Sequence, residues 1–252
     1  MIYNELFLKK FVNKKLQYMG IDSREHCDNI EHFESYTKDI AYQFNSRGFR
    51  DNEWRGDISN NIWCVGDSFS VGEGQPFDEI WSSKLEEISK YNTINISMSG
   101  ASNDWISRKV RYVIDNIEPQ FIVVQWTFIG RRESENMSLP DDKRILLCDN
   151  AQLKSLSSLN YYIKNIENFI NCFNAISNSA STIIHSFIPN FNSYGLTITD
   201  NKFFWDYVGE ETNINDSLVI ADNTQVDFAR DGFHYDKCTS NNYASAMLKF
   251  IT

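Results

Sequence analysis

Ile62-Trp63-Cys64-Val65-Gly66-Asp67-Ser68-Phe69-Ser70-Val71-Gly72-Glu73-Gly74 is the stretch from which the rest of the chain is read. Four apolar residues, too few for a helix, run directly into a glycine-rich turn, which is the form of a buried strand. A serine in that turn presents its hydroxyl outward while its backbone N–H stays free to donate, the geometry an acyl-transfer nucleophile needs. A phosphate-cradling loop would require Gly-x-x-x-x-Gly-Lys-Ser/Thr, and no lysine follows Gly72 or Gly74. An ordinary turn stays open on these residues alone.

Outward from this point, short apolar runs alternate with longer amphipathic segments, the pattern of repeated βα units and a mainly parallel sheet. The spacing predicts five strands, at Ile62–Val65, Thr93–Ile96, Phe121–Trp126, Thr182–Phe187 and Ser217–Ile220. Helices are predicted at Phe77–Ser89, Asn103–Ile117 and Leu156–Ile176, with a closing helix at about Asn241–Phe250. In the third of these, Leu159, Ile163, Ile166, Phe169, Ile170, Phe173 and Ile176 form one broad apolar stripe for the sheet. Open α/β sheets bind ligands at the carboxyl ends of their strands, so the chemistry belongs there. Upstream, Leu6, Phe7, Phe11, Val12, Leu16 and Met19 predict a helix over residues 4–18, and Ile40–Phe44 predicts a strand. Residues 1–60 read as an N-terminal appendage and 61–252 as the main domain.

At 252 residues, with 42% hydrophobic and 23% charged residues, the chain can bury one α/β core, and disordered and low-complexity classes are excluded. Its formal net charge of −10, without a dense Lys/Arg run, argues against a nucleic-acid or anionic-membrane partner. Phe121–Ile129 and similar runs are too short to span a bilayer. Met1–Lys10 carries Glu5 and has no apolar signal region, so a cytoplasmic location is expected, or a virion or host cytoplasm for a phage-encoded chain. Cys27, Cys64, Cys148, Cys172 and Cys238 are scattered without a Cys-x-x-Cys or Cys/His cluster, which points to a reducing compartment and to no structural metal.

Near the far end stands Asp231-Gly232-Phe233-His234-Tyr235. An aspartate three residues before a histidine can bend round to accept the Nδ1–H, which leaves Nε2 for a nucleophile supplied by the fold. A solvated surface loop is the competing reading of that stretch by itself. Together, the blocks resemble the SGNH/GDSL hydrolase family. Gly66-Asp67-Ser68 with Gly72 matches its first block, Gly100 follows the second strand as its second-block glycine does, and Asp231-Gly232-Phe233-His234 matches its last. The resemblance spans Ile62–Thr252, about three-quarters of the chain. Tyr42–Arg50 also looks like the lead-in that precedes the serine block in some bacterial and phage members.

The resemblance implies a flavodoxin-like three-layer α/β/α sandwich and hydrolysis of an ester or thioester through an acyl-enzyme, without metal or other cofactor. Ser68 would attack, His234 would carry its proton and Asp231 would orient the imidazole. The family's oxyanion hole takes the N–H groups of the serine (Ser68) and the second-block glycine (Gly100), with an asparagine amide from a third block. Here Trp126-Thr127-Phe128-Ile129-Gly130-Arg131 stands in place of that block's Gly-x-Asn-Asp. Thr127 or Asn103 are the candidate replacements, and loss of one such donor costs on the order of 3 kcal/mol.

Asn103-Asp104 is expected to cap its helix, whose N-terminal dipole would also favour an oxyanion near Gly100. Phe69, Trp105 and Trp126 fall at strand ends where they would line a substrate cleft or pack in the core. Arg131 could meet an anionic substrate group or pair with Glu133. His185 reads as a hydrogen-bonded core histidine, and His26 and His32 as solvated. The expected partner is a small ester or an acylated glycan, with a carbohydrate O-acetyl ester as one candidate. An O-acyltransferase with the same triad and a catalytically weak glycan-binding module are the alternatives. The missing third-block asparagine favours the module; the presence of all three triad residues opposes it.

Overall fold

The computed structural model describes residues 5–134, 136, 139–146, 157–177, 179–188, 218–219 and 225–251. Asn4, Leu156, Ser217 and Ile220, which border expected elements, lie outside them. In chain order the elements are β1 (Lys15–Leu16), α1 (Ile30–Ser35), β2 (Tyr42–Gln43), β3 (Ile62–Val65), α2 (Ser68–Val71), α3 (Trp81–Ser89), β4 (Thr93–Asn95) and α4 (Asn103–Asn116). There follow β5 (Phe121–Trp126), β6 (Arg132–Glu133), α5 (Asp141–Arg144), β7 (Ile145–Leu146), α6 (Ser157–Ser177), β8 (Thr182–Phe187), β9 (Leu218–Val219) and α7 (Lys237–Leu248).

The main sheet has the order β4-β3-β5-β8-β9, and every pairing in it is parallel. The chain steps one way from β3 to β4, then reverses across β3 to β5 and β8. With right-handed crossovers, that reversal puts α3 on one face and α4 and α6 on the other. The packing agrees, with α3 against α7 and α4 against α6. The result is the three-layer α/β/α sandwich. It also makes the carboxyl end of β3 the point where strand order reverses, the place such sheets offer to a ligand. Ile62, Trp63, Cys64 and Val65 of β3 are wholly buried, as a central strand covered on both faces requires.

The helix predicted over residues 4–18 does not form. Its place is taken by a single 3-10 turn at Lys9–Phe11 and by β1, which pairs antiparallel with β2. Asn13, at φ 53°, breaks any helix there. Leu6 and Leu8 are buried while Phe7 is exposed, an alternation of period two. Leu6, Leu8, Phe11, Met19, Tyr42, Phe44 and Phe49 join one continuous apolar cluster with the strands of the sheet.

The helix predicted at Phe77–Ser89 is split. A 3-10 turn covers Phe77–Glu79, and Ile80 is extended before α3 begins. Ile80 is fully buried, and a Cβ on Gly72 would lie 2.1 Å from its Cγ2. The closing helix starts four residues earlier than its apolar pattern indicates, at Lys237. The carboxylate of Asp227 accepts the N–H groups of Cys238 and Thr239 at 2.6 and 2.8 Å and so satisfies the first turn. Among the described residues, no helix is long and apolar enough to cross a membrane, and Cys27, Cys64, Cys172 and Cys238 are free thiols.

His185 of β8 is a core histidine. It stacks on Phe173 at 4.2 Å and accepts the Trp126 indole N–H on Nδ1 at 3.1 Å. Burial lowers its pKa to about 3. A base that must stay neutral when folded but charges when unfolded contributes stability that is complete above the unfolded value near 6.5 and is lost as pH falls toward 3. At about 1.4 kcal/mol per pH unit, the wild type should lose about 2 kcal/mol between pH 6.5 and pH 5 through this group. His185→Phe should lack that loss in urea unfolding; parallel pH dependence in the two proteins would contradict it.

Candidate active site

Ser68 is the first residue of α2, immediately beyond β3. Asp67 occupies the N-cap, and its Oδ1 accepts the Phe69 N–H at 3.0 Å. The short helix ends at Gly72, whose φ of 76° is left-handed and suits glycine. The neighbouring serine is not available for chemistry. Ser70 Oγ donates to Gln125 Oε1 at 2.6 Å and accepts the Trp81 indole N–H at 3.2 Å, while Gln125 Nε2 donates to the Tyr235 hydroxyl at 3.1 Å.

The loop before α7 brings the other two groups. Asp231 Oδ1 accepts the N–H groups of Phe233 and His234 at 2.8 and 2.9 Å, an Asx turn that folds the loop back on itself. Asp231 Oδ2 lies 2.5 Å from His234 Nδ1, and His234 Nε2 lies 2.8 Å from Ser68 Oγ. Ser68, Asp231 and His234 therefore form one hydrogen-bonded line. The Phe69 ring packs on the imidazole at a centroid distance of 4.6 Å. Burial alone would lower the His234 pKa, but the charge and hydrogen bond of Asp231, with Glu73 and Asp67 adding to them, hold it above its ordinary value. Burial pushes Asp231 up, and His234 together with the two backbone N–H bonds keeps it below the usual carboxylate range.

The pairing of β3 and β4 continues past both strands, through Ile96 N–H to Cys64 O and Met98 N–H to Gly66 O, and so carries Gly100 toward Ser68. Neither the Ser68 nor the Gly100 N–H donates to a protein acceptor among the described residues. The two replacement candidates are engaged elsewhere. Asn103 is clasped to the Thr127 backbone, its Nδ2 donating to Thr127 O at 3.0 Å and its Oδ1 accepting the Thr127 N–H at 2.9 Å. The Thr127 hydroxyl donates to Asp67 Oδ2 at 2.5 Å. The cap of α4 is Ser102, whose Oγ accepts the Trp105 N–H, and not Asn103-Asp104.

Of the residues expected to line a cleft, Phe69 lies beside the triad. Trp105 and Trp126 do not; both are fully buried in the core. Alternation along β5 turns Trp126 toward Phe169, Phe173 and His185, while Gln125 faces Ser70 and Tyr235. The Trp105 indole donates inward to Asp141 at 2.9 Å. Arg131 pairs with Asp67 at 2.8 Å and with the Thr127 hydroxyl, and Glu133 is taken by Arg108 and Arg144. A broad cavity of about 1050 Å³, lined among others by Asn13, Trp54, Asn61, Asn92 and Thr93, lies at the amino ends of β3 and β4, away from the triad. Glu73, Asp231 and His234 lie within 4.8 Å of one another, and the two ring nitrogens of His234 face Asp231 and Ser68.

The site also uses residues that sequence reading passed over. The Asp22 carboxylate accepts the Tyr42 hydroxyl at 2.5 Å and Arg230 of the histidine loop at 2.7 and 2.8 Å, and the Tyr42 oxygen accepts the Gly74 N–H at 2.7 Å. Buried Arg50 donates to the carbonyls of Val71, Gly72 and Gln75 and so braces the end of the serine turn. His32, expected to be solvated, hydrogen-bonds Ala229 O with its Nε2 at 2.7 Å. The Tyr42–Arg50 segment carried the one advance signal, as the lead-in of the resemblance.

No protein-family profile and no curated protein matches the chain. Several solved structures are similar to it. One is TesA, at 13% identity and TM-score 0.48 over 77% of this chain and 100% of that one. Another is the psychrotrophic esterase EstA from Pseudoalteromonas sp., at 16% identity and TM-score 0.42 over 75% of this chain and 95% of that one. A third is a Corynascus thermopiles (Myceliophthora fergusii) carbohydrate esterase family 2 enzyme with its carbohydrate binding domain, at 10% identity and TM-score 0.46 over 79% of this chain and 68% of that one. In this chain the parallel sheet carries its serine turn after β3 and its Asp-x-x-His loop before the last helix.

Proposed function

We propose that this chain is a serine hydrolase that cleaves a carboxylic ester through an acyl-enzyme on Ser68. The observation that carries the reading is the unbroken line from Ser68 Oγ to His234 Nε2, 2.8 Å, and from His234 Nδ1 to Asp231 Oδ2, 2.5 Å. Ser68 Oγ attacks the ester carbonyl as its proton passes to His234 Nε2, and the carbonyl oxygen becomes an oxyanion facing the N–H groups of Ser68 and Gly100. Collapse breaks the ester C–O bond, and the leaving alcohol takes the proton from His234. Water then gives a proton to the same nitrogen, attacks the acyl-enzyme and releases the acid with Ser68 restored. Asp231 keeps Nδ1 protonated throughout, so that Nε2 is the basic nitrogen.

A small acyl group on a neutral alcohol suits this site, and a carbohydrate O-acetyl ester is the substrate class we propose. Ser68 is only 5% exposed, with the Phe69 ring packed on its histidine, which favours a short acyl chain. Arg131 is already paired with Asp67, and the net charge of −10 disfavours anionic substrates. The test is a fluorophosphonate probe followed by peptide mass spectrometry. One adduct, on Ser68, is expected; an adduct on Ser70, or none on folded protein, would overturn the assignment.

A further inference from the structure

Glu73 lies between Gly72 and Gly74, both at φ 76°, and its side chain turns inward, leaving the residue 2% exposed. Its N–H donates to Ser68 O at 3.2 Å, which ties it to the nucleophile turn. The space for the carboxyl is made by Gly20, at φ 58°, where a Cβ would sit 2.0 Å from Glu73 Oε2. Glu73 Oε1 is buried with no hydrogen-bond partner among the described residues. A buried carboxylate oxygen left in that condition is costly unless its charge meets an opposite one. A carboxylate oxygen of Glu73, one of Asp231 and a ring nitrogen of His234 lie within 4.8 Å of one another.

The charged groups facing His234 are Asp231 from its own loop and Glu73 and Asp67 from the serine turn. Asp67 is balanced by Arg131 at 2.8 Å, and Asp231 is bound to the ring and to two N–H groups. Arg50, the cation that Glu73 also faces, directs its guanidinium to backbone carbonyls. We propose that Glu73 is a positioning residue of the site, a second carboxylate that stabilises the imidazolium formed when Ser68 gives its proton to His234. The proposal rests on the triad reading above. Burial holds Glu73 above the ordinary carboxyl range, and a charged His234 and the Ser99 side chain draw it back. Charge on either group therefore favours charge on the other, as required of a partner that matters most when the imidazole is protonated.

The experiment is a ¹⁵N NMR titration of the His234 imidazole in the wild type and in Glu73→Gln, with the pH dependence of p-nitrophenyl acetate hydrolysis measured on both. The Gln variant keeps the shape and removes the charge. Its His234 midpoint should fall by about one pH unit, the lower end for loss of an adjacent opposite charge. The acidic limb of kcat/KM should move down with it, while kcat on the plateau drops roughly tenfold because the imidazolium has lost a counter-charge. Identical midpoints in the two proteins would overturn the proposal. If Glu73→Gln does not fold, the Glu73 ¹³Cδ signal of the wild type decides: it should show a second inflection at the pH where His234 titrates, and its absence would equally overturn the proposal. A shifted imidazole midpoint in a protein that labels with no fluorophosphonate and hydrolyses no ester would leave the Glu73–His234 coupling standing and reject the esterase reading instead.

Discussion

Ser68→Ala should reduce p-nitrophenyl acetate hydrolysis by a factor on the order of 10⁵ or more, with little change in melting temperature. Among the described residues the Ser68 hydroxyl has a single side-chain partner, His234 Nε2 at 2.8 Å, so its removal takes away the nucleophile and leaves the core untouched. His234→Ala should cost nearly as much. Because the two act as one unit, Ser68→Ala/His234→Ala should be little worse than either single variant. Additive losses would mean that the two residues do not share a step. In the wild type, kcat/KM should rise with pH as His234 loses its proton, and the midpoint should lie above the ordinary imidazole value of about 6.5, since Asp231 and Glu73 outweigh burial in holding the proton on. A flat profile between pH 5 and 9 would exclude His234 as the base.

Asp231→Asn should lower kcat by roughly 10³- to 10⁴-fold while KM changes little. The amide cannot accept the Nδ1 proton with a charge behind it, and an Asn N–H turned toward the ring would favour the tautomer with its proton on Nε2, which cannot take one from Ser68. The same substitution has a stability signature whose sign is set by the imidazole. Since the folded His234 pKa is raised, the pair contributes its full stability below the unfolded histidine value, and that contribution disappears as pH climbs through the folded one. The variant should therefore be destabilised more at pH 6 than at pH 9 in urea unfolding. An equal loss at both would show that Asp231 supports the loop through its N–H bonds alone. The two effects separate cleanly, because activity is read where His234 is neutral and stability where it is charged.

The strand-turn-serine block and the Asp-x-x-His block were legible in the sequence because each depends on near neighbours. Four apolar residues followed by glycines can do little except end a buried strand, and an aspartate three residues from a histidine meets it through an Asx turn that needs no distant partner. The parallel sheet was legible for the same reason, since β3 and β5 announce themselves by runs of four apolar residues, Ile62–Val65 and Phe121–Val124. The N-terminal pattern misled because Leu6, Phe7, Phe11 and Met19 sit at helical spacings by coincidence of a chain that winds across a ready-made apolar surface. Phe7 faces out and Asn13 turns left-handed, choices set by what the segment packs against.

Sequence by itself determined the element types of the sheet and its covering helices, which follow from local periodicity, while Ser68, Asp231 and His234 stood out as a candidate triad through two short blocks and the resemblance that these carry. Only the tertiary structure decided what surrounds them. That Trp105 and Trp126 belong to the core, that Asn103 grips the Thr127 backbone, that Arg131 pairs with Asp67 and that Glu73 turns inward beside His234 are all consequences of contacts between residues far apart in the chain. Asp22 and Arg230, joined across 208 positions, make the same point about the brace that holds the histidine loop against the serine turn. Side-chain chemistry says which partners are possible, and only the packed fold, by excluding water and filling space, selects one of them.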